Sequence, residues 1–358
     1  MILFICGSFL SCSRKITGQS IDKGIYSKAA VVDIMKKVYD WQVAHPVNIN
    51  LRNDADWARA AFYSGVMRAY KSTGEEDYLN GAITYASSVQ WKPAARFRHA
   101  DDVARGQTFL EIYAVKKEPY MITGIQARID SLMADRKKGR EDWWWCDALF
   151  MAPPVIARLY EQTGDKKYSD YLNDMWWDAA SFLFDKEENL FYRDKNFFGV
   201  RTAVLGKKLF WSRGNGWVMG GLVQVMEHLD RNDPNYLLYV DLFKKMAAKI
   251  ATLQQADGLW RASLLDPEEV PVKETSGSAF YSFALAWGLN NHLLDRAVYL
   301  PVVLRGWKAL TNEIQPDGKL TWVQQIGAKP AAVQQSDNQE YGTGAFLMAG
   351  TEMMKLKK

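Results

Sequence analysis

Apolar residues recur at three- and four-residue spacing along nearly the whole chain from Tyr26 onward, in stretches broken by short polar turns, and period-two alternation is almost absent. The pattern predicts an all-helical protein. Two stretches read as copies of one unit: Ala61 to Tyr70 leads into Thr73-Gly74 and Tyr78-Leu79, and Met151 to Tyr160 leads into Thr163-Gly164 and Tyr168. In each, a helix ends at a glycine suited to a left-handed cap, and a second helix follows with an aromatic near its start. Comparable first helices are expected to begin near Trp57, Asp102, Asp147, Gly214, Ser276 and Tyr341, carrying small residues such as Gly106, Ala148, Gly220-Gly221, Ala279 and Gly344. Their spacing of roughly 45 to 65 residues is that of a helical-hairpin repeat.

Six hairpins predict a closed all-α toroid, an (α/α)6 barrel, with close-packed inner helices whose N-terminal ends line a common mouth. The alternative is an open helical solenoid that binds another protein. Divergent repeats and a long irregular stretch from Phe184 to Trp211 favour the ring, because uneven loops on one rim are more typical of an enzyme. No Pro-rich or low-complexity break divides the chain, so residues 24–358 read as one catalytic domain, preceded by a leader and tether over residues 1–23.

Composition narrows the partners. With 45 basic and 41 acidic residues and a formal charge of +4, the chain has no basic block of the kind that follows a phosphate backbone, and nucleic acid is excluded as an expected partner. The 14 Trp, 17 Tyr and 16 Phe exceed ordinary core needs, and flat rings stack on sugar faces. Met1 to Leu10 form an apolar run too short to span a bilayer. It ends at Leu10-Ser11-Cys12-Ser13, which resembles a bacterial lipoprotein processing site. The expectation is therefore an exported protein, periplasmic or anchored to the membrane through lipidated Cys12. Removal of the leader would leave Cys146 as the one thiol of the folded body, with no internal disulfide.

Three segments carry candidate chemistry. In His99-Ala100-Asp101-Asp102-Val103-Ala104-Arg105-Gly106-Gln107, two carboxylates stand where an inner helix should begin. One suffices to cap the helix amides, leaving the other for substrate; Asp102 is the preferred assisting acid and Asp101 is close behind. In Trp143-Trp144-Trp145-Cys146-Asp147-Ala148-Leu149-Phe150-Met151, Asp147 lies between three tryptophans and an apolar helix. Desolvation there raises a carboxyl pKa and makes a general acid, although a plain helix cap is the competing reading. In Phe210-Trp211-Ser212-Arg213-Gly214-Asn215-Gly216-Trp217, Arg213 sits between two tryptophans in a Gly-rich turn and offers a planar fork to a carboxylate, or stacks as a structural arginine. Beside two aspartates it suggests an acidic sugar. The four His, at 45, 99, 228 and 292, are scattered, and no nucleotide-binding or serine-hydrolase motif occurs, so neither metal nor cofactor is expected.

These segments, taken in order with Thr275-Ser276-Gly277-Ser278-Ala279 and Tyr341-Gly342-Thr343-Gly344, resemble glycoside hydrolase family 105, the unsaturated rhamnogalacturonyl hydrolases, over nearly the whole chain after the leader. The resemblance implies an (α/α)6 barrel with Asp147 as general acid and base and Asp102 assisting. It implies a sugar site lined by Asp101, Trp144, Trp145, Met151, Trp211, Arg213, Gly214, Trp217 and Ser276. The implied substrate is an oligosaccharide ending in an uronic acid with a C4=C5 bond, with galacturonyl-rhamnose the favoured form. The implied reaction hydrates that bond instead of attacking the anomeric carbon. Where some members carry a histidine, this chain reads Leu190-Phe191-Tyr192-Arg193-Asp194, so Tyr192 and Arg193 join the candidate site, and Arg193 and Arg201 are placed either to read a sulfate or second carboxylate or simply in solvent. The alternatives are a sugar 2-epimerase or ordinary glycosidase on the same ring, and a noncatalytic glycan-binding lipoprotein.

Overall fold

A computed structural model describes residues 23–47 and 56–356. The leader and Cys12 lie outside the described residues. Among these, twelve long helices alternate between an outer and an inner layer. The outer helices are α1 (Lys28–Ala44), α3 (Glu76–Ser88), α5 (Tyr120–Ala134), α7 (Lys166–Leu183), α9 (Tyr236–Thr252) and α11 (Arg296–Asn312). The inner helices are α2 (Trp57–Thr73), α4 (Arg105–Lys116), α6 (Pro153–Thr163), α8 (Ser212–His228), α10 (Thr275–Asn290) and α12 (Glu340–Met353). The expected ring is the observed architecture, and inner helices start close to the positions the sequence marks.

Small residues close the ring. A Cβ added at Gly65 in α2 would stand 2.3 Å from the carbonyl oxygen of Gly344 in α12, so the last inner helix meets the first at backbone contact. A methyl group at this point would force the two helices apart. The α2 and α6 hairpins turn where they are expected to, at Gly74 and Gly164, whose φ of 77° and 69° lie in the left-handed region that a residue with a Cβ adopts only under strain. At the centre, Trp217 packs edge-on or tilted against Trp57, Phe150, Phe280 and Tyr341, joining α8 to four other inner segments in one aromatic cluster.

The two ends of the barrel differ in chemistry. At the end formed by the inner-helix C-termini, Arg158 donates to Glu111 at 2.8 Å and to Gln224 at 2.9 Å, while Arg68 holds Glu227 at 2.5 Å. These groups are deeply buried or nearly so. Despite the desolvation that burial imposes, their arginine partners hold Glu111 well below the usual carboxylate range and Glu227 down to about 2. Arg68, Arg158, Glu111 and Glu227 are each paired there with a charge of opposite sign. At the other end, the loops after the outer helices fold over the inner-helix N-termini and form the rim of a mouth.

Candidate active site

The rim is built by backbone carbonyls as much as by side chains. Arg213, at the start of α8, spends its fork on the loop preceding α12, donating to the Gln324 carbonyl at 2.6 Å and the Gln325 carbonyl at 3.0 Å. The Tyr341 hydroxyl donates to the same Gln324 oxygen at 2.5 Å, and the Trp211 indole N–H donates to the Gln324 side chain at 2.9 Å. The Arg213 guanidinium also stacks between Trp211 and Tyr341. Of the two expectations for Arg213, a carboxylate fork or a stacked structural arginine, the contacts fit the second: it staples the loop over the mouth, and its buried charge acts on Asp147 from a distance. At the next inner helix, Glu274 caps α10 by accepting from the Ser276 and Gly277 amides at 2.8 and 2.7 Å. Ser276 also turns its hydroxyl to Glu274, so this residue belongs to the cap.

Asp147 occupies the corresponding helix-start position without capping anything. It stands at the N-cap of the short helix Ala148–Met151, yet its side chain accepts no bond from the helix amides. Burial is the largest influence on it and raises its pKa above the ordinary aspartate value, against the opposing charges of Arg193 and Arg213. The Cys146 thiol lies 3.7 Å from Oδ2 and is itself pushed well upward by burial. A carboxyl group that is desolvated, uncapped and held at a helix start is equipped to keep a proton and give it up.

The neighbouring pair separates into two roles. Asp102 turns to the loop before it, accepting from the Arg96 amide at 2.5 Å and from Arg96 Nε at 2.8 Å, and its own carbonyl accepts from the Ala94 amide at 2.8 Å. Arg128 ties the same loop through the carbonyls of Ala94, Arg96 and Phe97. Expected as the assisting acid, Asp102 is thus the anchor of residues 94–99. Asp101 accepts no hydrogen bond of this kind. Its Oδ2 lies 3.5 Å from His99 Nδ1 and 3.7 Å from Arg96, and burial, reinforced by the charges of Asp147 and Asp102, pushes its pKa up to about 8. The His99 ring in turn leans on Trp145.

A short hairpin delivers the remaining charge. Strand β1 (Phe184–Asp185) pairs antiparallel with β2 (Leu190–Phe191). Asn215 in α8 fixes β2 by accepting from the Phe191 amide at 2.7 Å and donating to the Phe191 carbonyl at 3.0 Å. Two residues on, the Arg193 carbonyl accepts from the Cys146 amide at 2.8 Å, so the guanidinium comes to rest 3.8 Å from Asp147 Oδ2. Arg193 therefore sits at the site and not in solvent, whereas Arg201 is exposed. Asn215 was not singled out from the sequence; its position in Arg213-Gly214-Asn215 within a helix start is the one available signal. Tyr192 donates to Asp185 at 2.9 Å and braces the hairpin. Trp144 is the open member of the tryptophan run, while Trp145, Met151 and Trp211 are buried and Trp217 lies in the barrel core. Gly214 packs against Cys146 and Trp211, where a Cβ would meet both at 3.0 Å. Among the described residues no group of His, Cys, Asp and Glu is arranged to hold a metal ion.

The sequence model of Glycosyl Hydrolase Family 88 matches residues 26–357. An unsaturated 3S-rhamnoglycuronyl hydrolase of Formosa agariphila is 42% identical over 342 residues, 90% of each chain. A protein of the same name from an Alteromonas species is 36% identical, covering 88% of this chain and 83% of its own. The solved structure of a family 88 glycosyl hydrolase from Bacteroides vulgatus superposes with a TM-score of 0.85 at 31% identity, covering 91% of this chain and 99% of its own. With a match over nearly its full length, this chain belongs to glycosyl hydrolase family 88 and is a hydrolase acting on glycosidic compounds.

Proposed function

We propose that the protein removes a terminal Δ4,5-unsaturated uronic acid from polysaccharide-lyase products by hydrating the C4=C5 bond, the reaction of the family 105 type. The observation that carries the reading is Asp147, a buried carboxyl at a helix start with no capping duty. Asp147 gives its proton to C4. The carboxylate left behind takes a proton from water, whose oxygen bonds to C5. The resulting C5 hemiketal opens by breaking the bond to the ring oxygen, and the hemiacetal so exposed at C1 collapses to an aldehyde and expels the next sugar. One water is consumed and Asp147 regains its proton.

Asp101, and not Asp102, takes the assisting place beside Asp147. With a pKa of about 8 it is protonated at neutral pH, so it donates a hydrogen bond and adds no second negative charge beside Asp147. The substrate to test first is the 3S-rhamnoglycuronyl class for which the two relatives are named, an unsaturated uronate on O3-sulfated rhamnose, with galacturonyl-rhamnose second. Export and lipidation at Cys12 belong to the same proposal and are checked by palmitate labelling of wild type against Cys12→Ala.

The test is the absorbance of the conjugated double bond during incubation with such oligosaccharides. Wild type is expected to abolish it, and Asp147→Asn to slow the decay by at least about a hundredfold. Persistent absorbance with wild type across ulvan-type, pectic and glycosaminoglycan fragments contradicts the function, and a normal rate in Asp147→Asn contradicts the role of Asp147.

A further inference from the structure

Three consecutive tryptophans precede Cys146, and the structure treats the middle one differently. Trp143 and Trp145 are 3% and 4% exposed, whereas Trp144 is 41% exposed. Its open indole is roofed by Arg193, whose guanidinium carbon stands 5.0 Å from the ring centroid. Stacking of this kind positions a guanidinium while leaving its edge for an anion.

Arg193 is held at one corner and unspent at another. Nη1 donates to Asp194 at 2.5 Å, which sets the plane of the group. Nε, 3.8 Å from Asp147 Oδ2, is buried and makes no hydrogen bond. A buried donor without an acceptor is costly, and 3.8 Å is too long for a bond. Arg213 Nε and Arg96 Nη2 are likewise buried without a hydrogen bond, but the Arg213 fork is spent on two carbonyls and Arg96 is paired with Asp102, and among the described residues Arg193 is the arginine within 4 Å of an Asp147 oxygen.

Substrate chemistry indicates what completes the site. Building on the proposed hydration, the proton from Asp147 must reach C4, and the uronate carboxylate hangs from the adjacent carbon, C5. Whatever receives that carboxylate must therefore stand within a few ångströms of the Asp147 oxygens, which is where the unpaired Arg193 edge lies. We infer that Arg193, seated on Trp144, receives the substrate's carboxylate, and that binding thereby draws the arginine's charge away from Asp147 and onto the sugar. Arg193 is then a specificity-determining residue with a second effect. In the free enzyme it opposes protonation of Asp147; with its charge shared by a bound anion it opposes it less, and the acid is armed by the acidic sugar itself. A neutral sugar of the same shape would leave Asp147 paired.

The experiment crosses two changes: Arg193→Gln in the enzyme, and the methyl ester in place of the free acid in the unsaturated disaccharide. Wild type is expected to prefer the acid by about 10- to 100-fold in kcat/KM, the range of one charge-assisted hydrogen bond, and Arg193→Gln to reduce that preference to within about threefold. In wild type the alkaline limb of kcat should lie at higher pH than that of kcat/KM, because the first reports the complex and the second the free enzyme; this comparison needs no variant. Arg193→Lys, which keeps charge but loses the fork, should fall between. Retention of the full acid preference by Arg193→Gln, or coincident limbs in wild type, overturns the inference while leaving the hydration reaction intact. Wild type inactive on both substrates overturns the reaction and this inference with it.

Discussion

Asp101→Asn separates what the residue does for function from what it does to stability. The substitution keeps shape and removes the charge that the folded protein resists: in the barrel this carboxyl holds its proton up to about pH 8, whereas an unfolded chain releases it near pH 3.9. Between those values the unfolded state binds one proton fewer than the folded state, so wild-type stability falls as pH rises, by about 1.4 kcal/mol per pH unit for this one group. The Asn variant lacks the penalty. For 358 residues with an unfolding entropy near 2.1 cal/mol/K per residue, that slope is about 2 °C of Tm per pH unit. Melting both proteins by circular dichroism at pH 5, 6, 7 and 8 should show the variant gaining steadily on wild type, while its turnover of the unsaturated substrate drops by at least about tenfold. Parallel melting curves across that range would show that Asp101 ionises normally in the fold and would refute both the raised pKa and the neutral-donor role built on it.

The opposite end of the barrel predicts the reverse pH response. Glu111 and Glu227 have depressed pKa values, so their contribution is present above the ordinary glutamate pKa of about 4.3 and disappears as pH falls toward about 2; denaturant midpoints at pH 5, 4 and 3 should drop steeply, and less steeply in Glu227→Gln. Arg213→Lys replaces a fork that serves two carbonyls with a single point donor, which should cost about 1–3 kcal/mol and speed amide exchange over residues 321–339, with amide exchange over α1 unchanged.

The ring was readable because its signals are local. Gly74 and Gly164 end helices through their own backbone freedom, and the small residues of the inner helices recur at hairpin spacing. The position of Asp147 at a helix start was readable for the same reason, since it and its tryptophan neighbours are contiguous in sequence. The choice between Asp101 and Asp102 was not. Side chains of adjacent residues at a helix start diverge by about 100°, and which one faces the mouth is decided by Arg96 in a loop with no periodicity to read. The role of Arg213 stayed open because guanidinium chemistry fits a carboxylate and a pair of carbonyls equally well, and the carbonyls belong to a loop more than a hundred residues later. Arg193 reaches the site through a hairpin pinned by Asn215, a contact between segments that no local pattern announces.

In the proposed reaction the bond attacked is C4=C5 and Asp147 supplies the proton. Turnover in deuterated water, followed by NMR within the first minutes, tests it directly. Loss of the vinylic H4 signal is expected as the next sugar is released, with one deuterium added at C4 in a single configuration, and neither event in Asp147→Asn. Release of the neighbouring sugar with H4 still vinylic on the freed uronate would contradict it.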